Sequence, residues 1–172
     1  MGTVLFLSLR VLHVLLAAIW LGSTVFITVL MMPAVEATGA AGGQVMTRMV
    51  KGALIKYFAI LGGTTTLTGI YLFWRLTGGF APVISASRTG MVFGIGGVAG
   101  IIATIMGGSV VGRAATANVA VMEQAAGMPG GPEKEALLQR GGALRQRLKS
   151  AGTIVIVLQA IALILMALGH YI

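Results

Sequence analysis

Four apolar runs, each long enough to cross a bilayer and each fenced by basic residues, dominate this chain. They cover about residues 11–32, 57–74, 91–111 and 153–169, and the first ends at Pro33. The fencing residues are Arg10, then Lys51 and Lys56, then Arg75, Arg88, Arg113 and Lys149. A hydrocarbon layer about 30 Å thick takes roughly 20 residues of helix. Backbone polar groups have no water partner there, so only helices or closed barrels can span it. The expectation is an all-α integral membrane protein: one domain over residues 1–172, built as a bundle of four transmembrane helices.

The remaining composition narrows the chemistry. Only 9% of the 172 residues are charged and 57% are hydrophobic, whereas soluble domains carry about 25% charged residues. A water-soluble fold and a disordered chain are both excluded. With no cysteine, disulfide frameworks, thiolate zinc sites, iron–sulfur clusters and c-type haem attachment are excluded as well. The first apolar run exceeds the roughly 7–15 residues of a signal-peptide core and lacks a basic leader, so it is expected to remain as a helix.

A net charge of +8 would suggest nucleic acid in a soluble protein, but here its distribution reports topology. The connections between spans 1 and 2 and between spans 3 and 4 hold nine of the twelve basic residues, against Arg10, Arg75 and Arg88 at the other end. By the positive-inside rule both large connections face the cytoplasm and both termini lie on the same, outer side. A bacterial cytoplasmic (inner) membrane is the expected location. The connection 112–150 contains the breaker Gly127–Gly131, after which Pro132, Glu133 and Glu135 form a plausible helix start. Leu137, Leu144 and Leu148 then share a stripe, so residues 132–150 read either as an amphipathic helix at the lipid headgroups or as a solvated basic linker. Gly141–Gly142 argues against a rigid helix there.

In lipid, small residues mark the faces where helices meet. Gly96, Gly100, Thr104, Gly108 and Gly112 recur every four residues along span 3 and read as one groove. Span 2 adds Ala59–Gly63, Thr65–Gly69 and a Thr64–Thr65–Thr66 run. These glycines serve helix packing, or some of them clear room for a flat cofactor. A dinucleotide-like GIGGVAG stretch from Gly94 lies inside a span with no preceding strand and carries no such meaning. No P-loop, Ser–His arrangement or file of polar residues along a span supports a nucleotide enzyme, a hydrolase or a channel.

Ionisable and amide side chains inside spans point to function because burying them is costly. His13 opens span 1 about one turn past Arg10, and His170 closes span 4. An even number of spans puts both at one membrane edge. His13, Ala17, Trp20 and Thr24 share one helical stripe; Gln159, Leu163, Met166 and His170 share another, and Gln159 should face the bundle interior. If helices 1 and 4 are neighbours, the histidines meet. They would then serve as axial ligands of haem b, with Arg10 or Arg88 on its propionates. A copper site built from His13, Met166 and His170 is the alternative. The third reading has no cofactor, with His13 simply bonded to a neighbouring helix.

The stretch Leu12-His13, Trp20-Leu21-Gly22, Phe26, Pro33 resembles the first helix of the copper-resistance-D-like membrane proteins and of the four-helix membrane protoporphyrinogen oxidases. Thr68-Gly69-Ile70-Tyr71-Leu72 has a similar character. The resemblance spans about the first 80 residues and implies a four-helix protein in which His13 is the position that binds haem or metal. The oxidases continue with an aromatic and basic run ending in a second histidine, whereas Phe26–Val35 here reads FITVLMMPAV.

The function expected is therefore that of a small membrane protein binding haem b between helices 1 and 4, for electron transfer or support of a redox partner. The alternatives are copper handling and a cofactor-free accessory subunit of a larger membrane complex. The bilayer is the first partner expected; a redox partner, a complex or a second copy of the chain follow, and nucleic acid is not expected.

Overall fold

A computed structural model describes residues 2–169 and 171, and among them the chain is helical with no strand. Four long helices carry the apolar runs: α1 Gly2–Ala37, α2 Gly39–Leu76, α3 Arg88–Ala126 and α4 Pro132–Leu168. All four are long and apolar enough to cross a membrane, so the chain is a multi-pass membrane protein built as a four-helix bundle. In sequence order each helix packs on the next, and α4 closes the ring against α1. The molecule is thus two hairpins, α1–α2 and α3–α4, joined by the connection 77–87.

Each helix is about 55 Å long at 1.5 Å per residue, well beyond the 30 Å or so of hydrocarbon. The excess lies mostly at the end opposite the termini, which carries most of the cations and is called the basic end below. Segments 33–56 and 112–150, expected as connections with a possible helix only over 132–150, are therefore helical for most of their length. Thr38, a kink at Gly52 and residues 127–131 interrupt the helices there. Pro33 does not end α1. It sits just after a widened π-helical segment, Phe26–Met31, whose altered hydrogen bonding absorbs the missing proline N–H. Gly141–Gly142 does not break α4 either. Gly141 lets α3 approach: a Cβ there would lie 2.8 Å from Met122 Sδ, and Asn118 Nδ2 donates to the Gly141 carbonyl at 2.8 Å. Leu137, Leu144 and Leu148 are half-buried on this same side of α4, so the stripe expected at lipid headgroups is turned into the α3–α4 hairpin.

The core is small and central. Trp20, Leu61, Ala103 and Val155 supply one buried residue from each helix, with Leu16, Phe58 and Leu158 packed around them. Close approach is set by glycine. A Cβ on Gly62 would lie 3.2 Å from the Trp20 ring, and one on Gly96 would lie 3.4 Å from the Ala162 carbonyl. The four-residue repeat on α3 is not one groove, because each step carries the helix about 40° past a full turn. Gly96 meets α4, Thr104 bonds Thr66 of α2 at 2.7 Å, and Gly108 meets nothing within 4 Å.

At the terminal end a tight turn follows α2. Gly78, Gly79 and Phe80 all have positive φ (62°, 85° and 64°). Fully buried Thr77 holds it, its hydroxyl donating to the Phe73 carbonyl at 2.8 Å and accepting from the Phe80 N–H at 3.1 Å. A left-handed phenylalanine is costly, and this pair of bonds holds it in place.

Candidate functional site

The buried face of α1 is the stripe read from the sequence: His13, Trp20 and Thr24 are all buried, as is Thr28 one turn further on. His13 points at α2. Its Nδ1 lies 2.9 Å from the Thr65 carbonyl and 3.1 Å from Thr68 Oγ1. A carbonyl only accepts, so Nδ1 carries a proton, and in the neutral tautomer this leaves the lone pair at Nε2. The Thr68 hydroxyl, donating to the Thr64 carbonyl at 2.8 Å, has an oxygen lone pair to share with the same N–H. Behind the ring, a Cβ on Gly69 would lie 2.8 Å from His13 Cε1. The histidine is seated in a socket that only glycine leaves open. Nε2 has no hydrogen-bond partner among the described residues.

The other expected site residues are spread over different interfaces. α1 and α4 are neighbours, yet the His13 ring lies in the α1–α2 contact. Met166 is half-buried with its Cγ near Gly96 of α3. Arg10 and Arg88 are exposed at the terminal end, Arg88 opening α3. Trp20 fills the bundle centre. On α4 the buried line runs through Val155, Gln159 and Ala162, while Leu163 of the expected stripe is exposed. Gln159 is 5% exposed, and neither its Nε2 nor its Oε1 has a partner among the described residues; buried Thr65 Oγ1 is in the same position. His170 lies outside the described residues. Among the described residues no three His, Asp or Glu side chains gather as metal ligands.

Sequence reasoning missed one further feature. Between the two hairpins, in the basic half, lies a cavity of about 1710 Å³. Trp20, Gly62 and Thr104 line its end nearer the bundle centre, ten residues or about 15 Å of helix from Arg10. Its walls pass through three π-helical segments, one each in α1 (Phe26–Met31), α2 (Val50–Leu54) and α3 (Gly107–Gly112). Such segments are uncommon, and where they occur they often mark functional sites. The one in α2 contains a kink at Gly52, whose φ of −83° and ψ of −117° are not helical. Gly52, Gly107 and Gly108 meet no atom within 4 Å of a built Cβ. They leave room rather than make contact.

Most of the wall is apolar and its far end is charged. Arg48, Lys51, Arg113 and Arg145 line it with Glu36 and Glu123. Lys51 Nζ donates to Glu123 Oε1 at 2.6 Å, joining α2 to α3 across the opening. It is the only ion pair among the described residues. A glycine pair at 107–108 in span 3 and arginines just beyond the spans were the only sequence traces of this vestibule.

Compared with known families, curated proteins and solved structures, the chain matches none.

Proposed function

We propose that this membrane protein binds an amphiphilic molecule, drawn with its apolar end first into the vestibule between the hairpins. The observation carrying this reading is the cavity itself: about 1710 Å³, apolar toward the bundle centre and charged at its far end. It exceeds the roughly 300–1,000 Å³ of sites for compact small molecules, which suits a long-chain ligand. The positive-inside bias supports a vestibule that opens toward the cytoplasm.

Trp20 provides the test, because it is buried at the cavity's membrane end while Trp74, at the other end of the bundle, is 43% exposed. In a Trp74→Phe variant, amphiphiles with brominated chains should quench Trp20 fluorescence. Gly108→Phe, which fills the vestibule wall, should protect it. Trp20 emission indifferent to every brominated chain would overturn the reading.

A separate observation favours a second reading, haem b held by His13. Its Nδ1–H on a backbone carbonyl and its unpartnered Nε2 fit an axial ligand, since such a bond fixes the tautomer and raises basicity at the other nitrogen. The first-helix resemblance supports the same residue. Haem would supply one-electron chemistry, and His13 would hold and orient it. The copper set is less favoured, because His13 and Met166 sit in different helix contacts. Oxidised and reduced absorption spectra test the haem reading. A Soret band lost in His13→Ala is expected, and colourless protein from haem-replete cells contradicts it.

A further inference from the structure

We propose that the vestibule's ligand is an acyl-chain lipid with an anionic phosphate headgroup, bound by guanidinium groups from three helices. The inference rests on the amphiphile reading above and adds the headgroup. Arg48 on α2, Arg113 on α3 and Arg145 on α4 all line the cavity, and none of them has a carboxylate partner among the described residues. Arg145 carries the most weight. It is half-buried, and the acceptor it reaches is the Met122 thioether, at 3.4 Å from Nη2. A guanidinium has five N–H donors and a thioether is a weak acceptor, so most of this group's bonding capacity is unspent beside a cavity.

The balance of charge has the matching sign. Four cations line the vestibule against two carboxylates, and one of those, Glu123, is already held by Lys51. Depth matches as well. Lys51 lies eleven residues before Gly62, about 16 Å of helix. The charged end therefore sits one acyl half-thickness from the bundle centre, at headgroup level. Arginines approaching from three helices suit a phosphate, whose oxygens accept from several directions, better than a planar carboxylate that takes a single fork.

The experiment uses the Trp74→Phe protein reconstituted in phosphatidylcholine vesicles. It compares quenching of Trp20 by phosphatidylglycerol and by phosphatidylcholine carrying the same brominated chains. Half-maximal quenching should need about tenfold less phosphatidylglycerol, because both headgroups carry a phosphodiester but the quaternary ammonium of phosphatidylcholine is repelled by the cation-rich end. Arg145→Gln should reduce that preference to about twofold or less, with Arg113→Gln as the second variant if the first does not fold. Arg140→Gln removes the same charge from an exposed position outside the lining, so it should leave the preference intact. Equal quenching by both lipids overturns the headgroup assignment and leaves the amphiphile reading standing. Quenching by neither overturns both. A preference abolished equally by Arg140→Gln reduces the effect to bulk charge and overturns the site. A preference competed away by millimolar inorganic phosphate assigns the site to a soluble anion and overturns the lipid.

Discussion

The His13 socket and the open stretch of the vestibule wall use glycine in opposite ways. In the terminal half Gly69 takes the His13 ring, Gly96 takes α4, and Gly169 takes Phe93, whose ring atoms would lie 2.8–3.0 Å from an added Cβ. Around the vestibule Gly52, Gly107 and Gly108 face open space. At the first three the missing side chain is replaced by a neighbour; at the other three it remains a void, although Gly62 and Gly152 of the same lining do take neighbours, Trp20 and Thr28. Spacing cannot distinguish these cases, because the difference lies in what stands opposite.

Substitutions can break this contrast, and the largest effect belongs to the residue at the boundary. Trp20→Ala removes the ring that every helix packs on and should cost about 3–5 kcal/mol, read by reversible unfolding in mixed micelles. A loss below 1 kcal/mol or so would mean that the vestibule, rather than a packed centre, begins higher in the bundle. Gly69→Ala puts a methyl into the His13 socket, where overpacking costs about 1–3 kcal/mol. Gln159→Leu should raise stability by up to about 2 kcal/mol, since it removes an amide buried without partners. A decrease would show that a bound water or ligand satisfies the amide. Gly108→Ala should be neutral or stabilising by as much as about 1 kcal/mol, because nothing opposes its Cβ and alanine is the better helix former. Lys51→Gln comes last. With the two side chains 59% and 47% exposed, the ion pair should contribute well under about 1 kcal/mol once solvent screening is counted.

The four spans and the buried stripe of α1 were legible because hydropathy and the helical period are local properties. The length of the helices was not. Thr38 alone separates α1 from α2, and the polar sequence on either side of it reads as a loop until its neighbours are known. Pro33 and Gly141 are helix breakers by propensity, overridden by a π-helical turn and by contact with Met122. Within the candidate sites, His13 stood out by type. Its seat on α2 depended on Gly69 and a backbone carbonyl, groups that carry no chemical signature. The vestibule left almost no trace, since an absence of packing leaves little periodic pattern in a sequence.

The three π-helical segments have a consequence for how this chain can change over time. Two of them, Phe26–Met31 and Gly107–Gly112, each amount to one extra residue accommodated within an α-helix, whereas Val50–Leu54 is kinked at Gly52. Deleting a residue from Phe26–Met31 or Gly107–Gly112 would restore regular winding there and leave the side chains on either flank facing as they do now, because the wide turn already absorbs the extra residue. The same deletion in a regular α-helical stretch would turn one flank by about 100° relative to the other and carry lining residues such as Arg48 off the cavity. These segments are therefore the places in the bundle where one codon can be lost without re-aiming the side chains on either side of it.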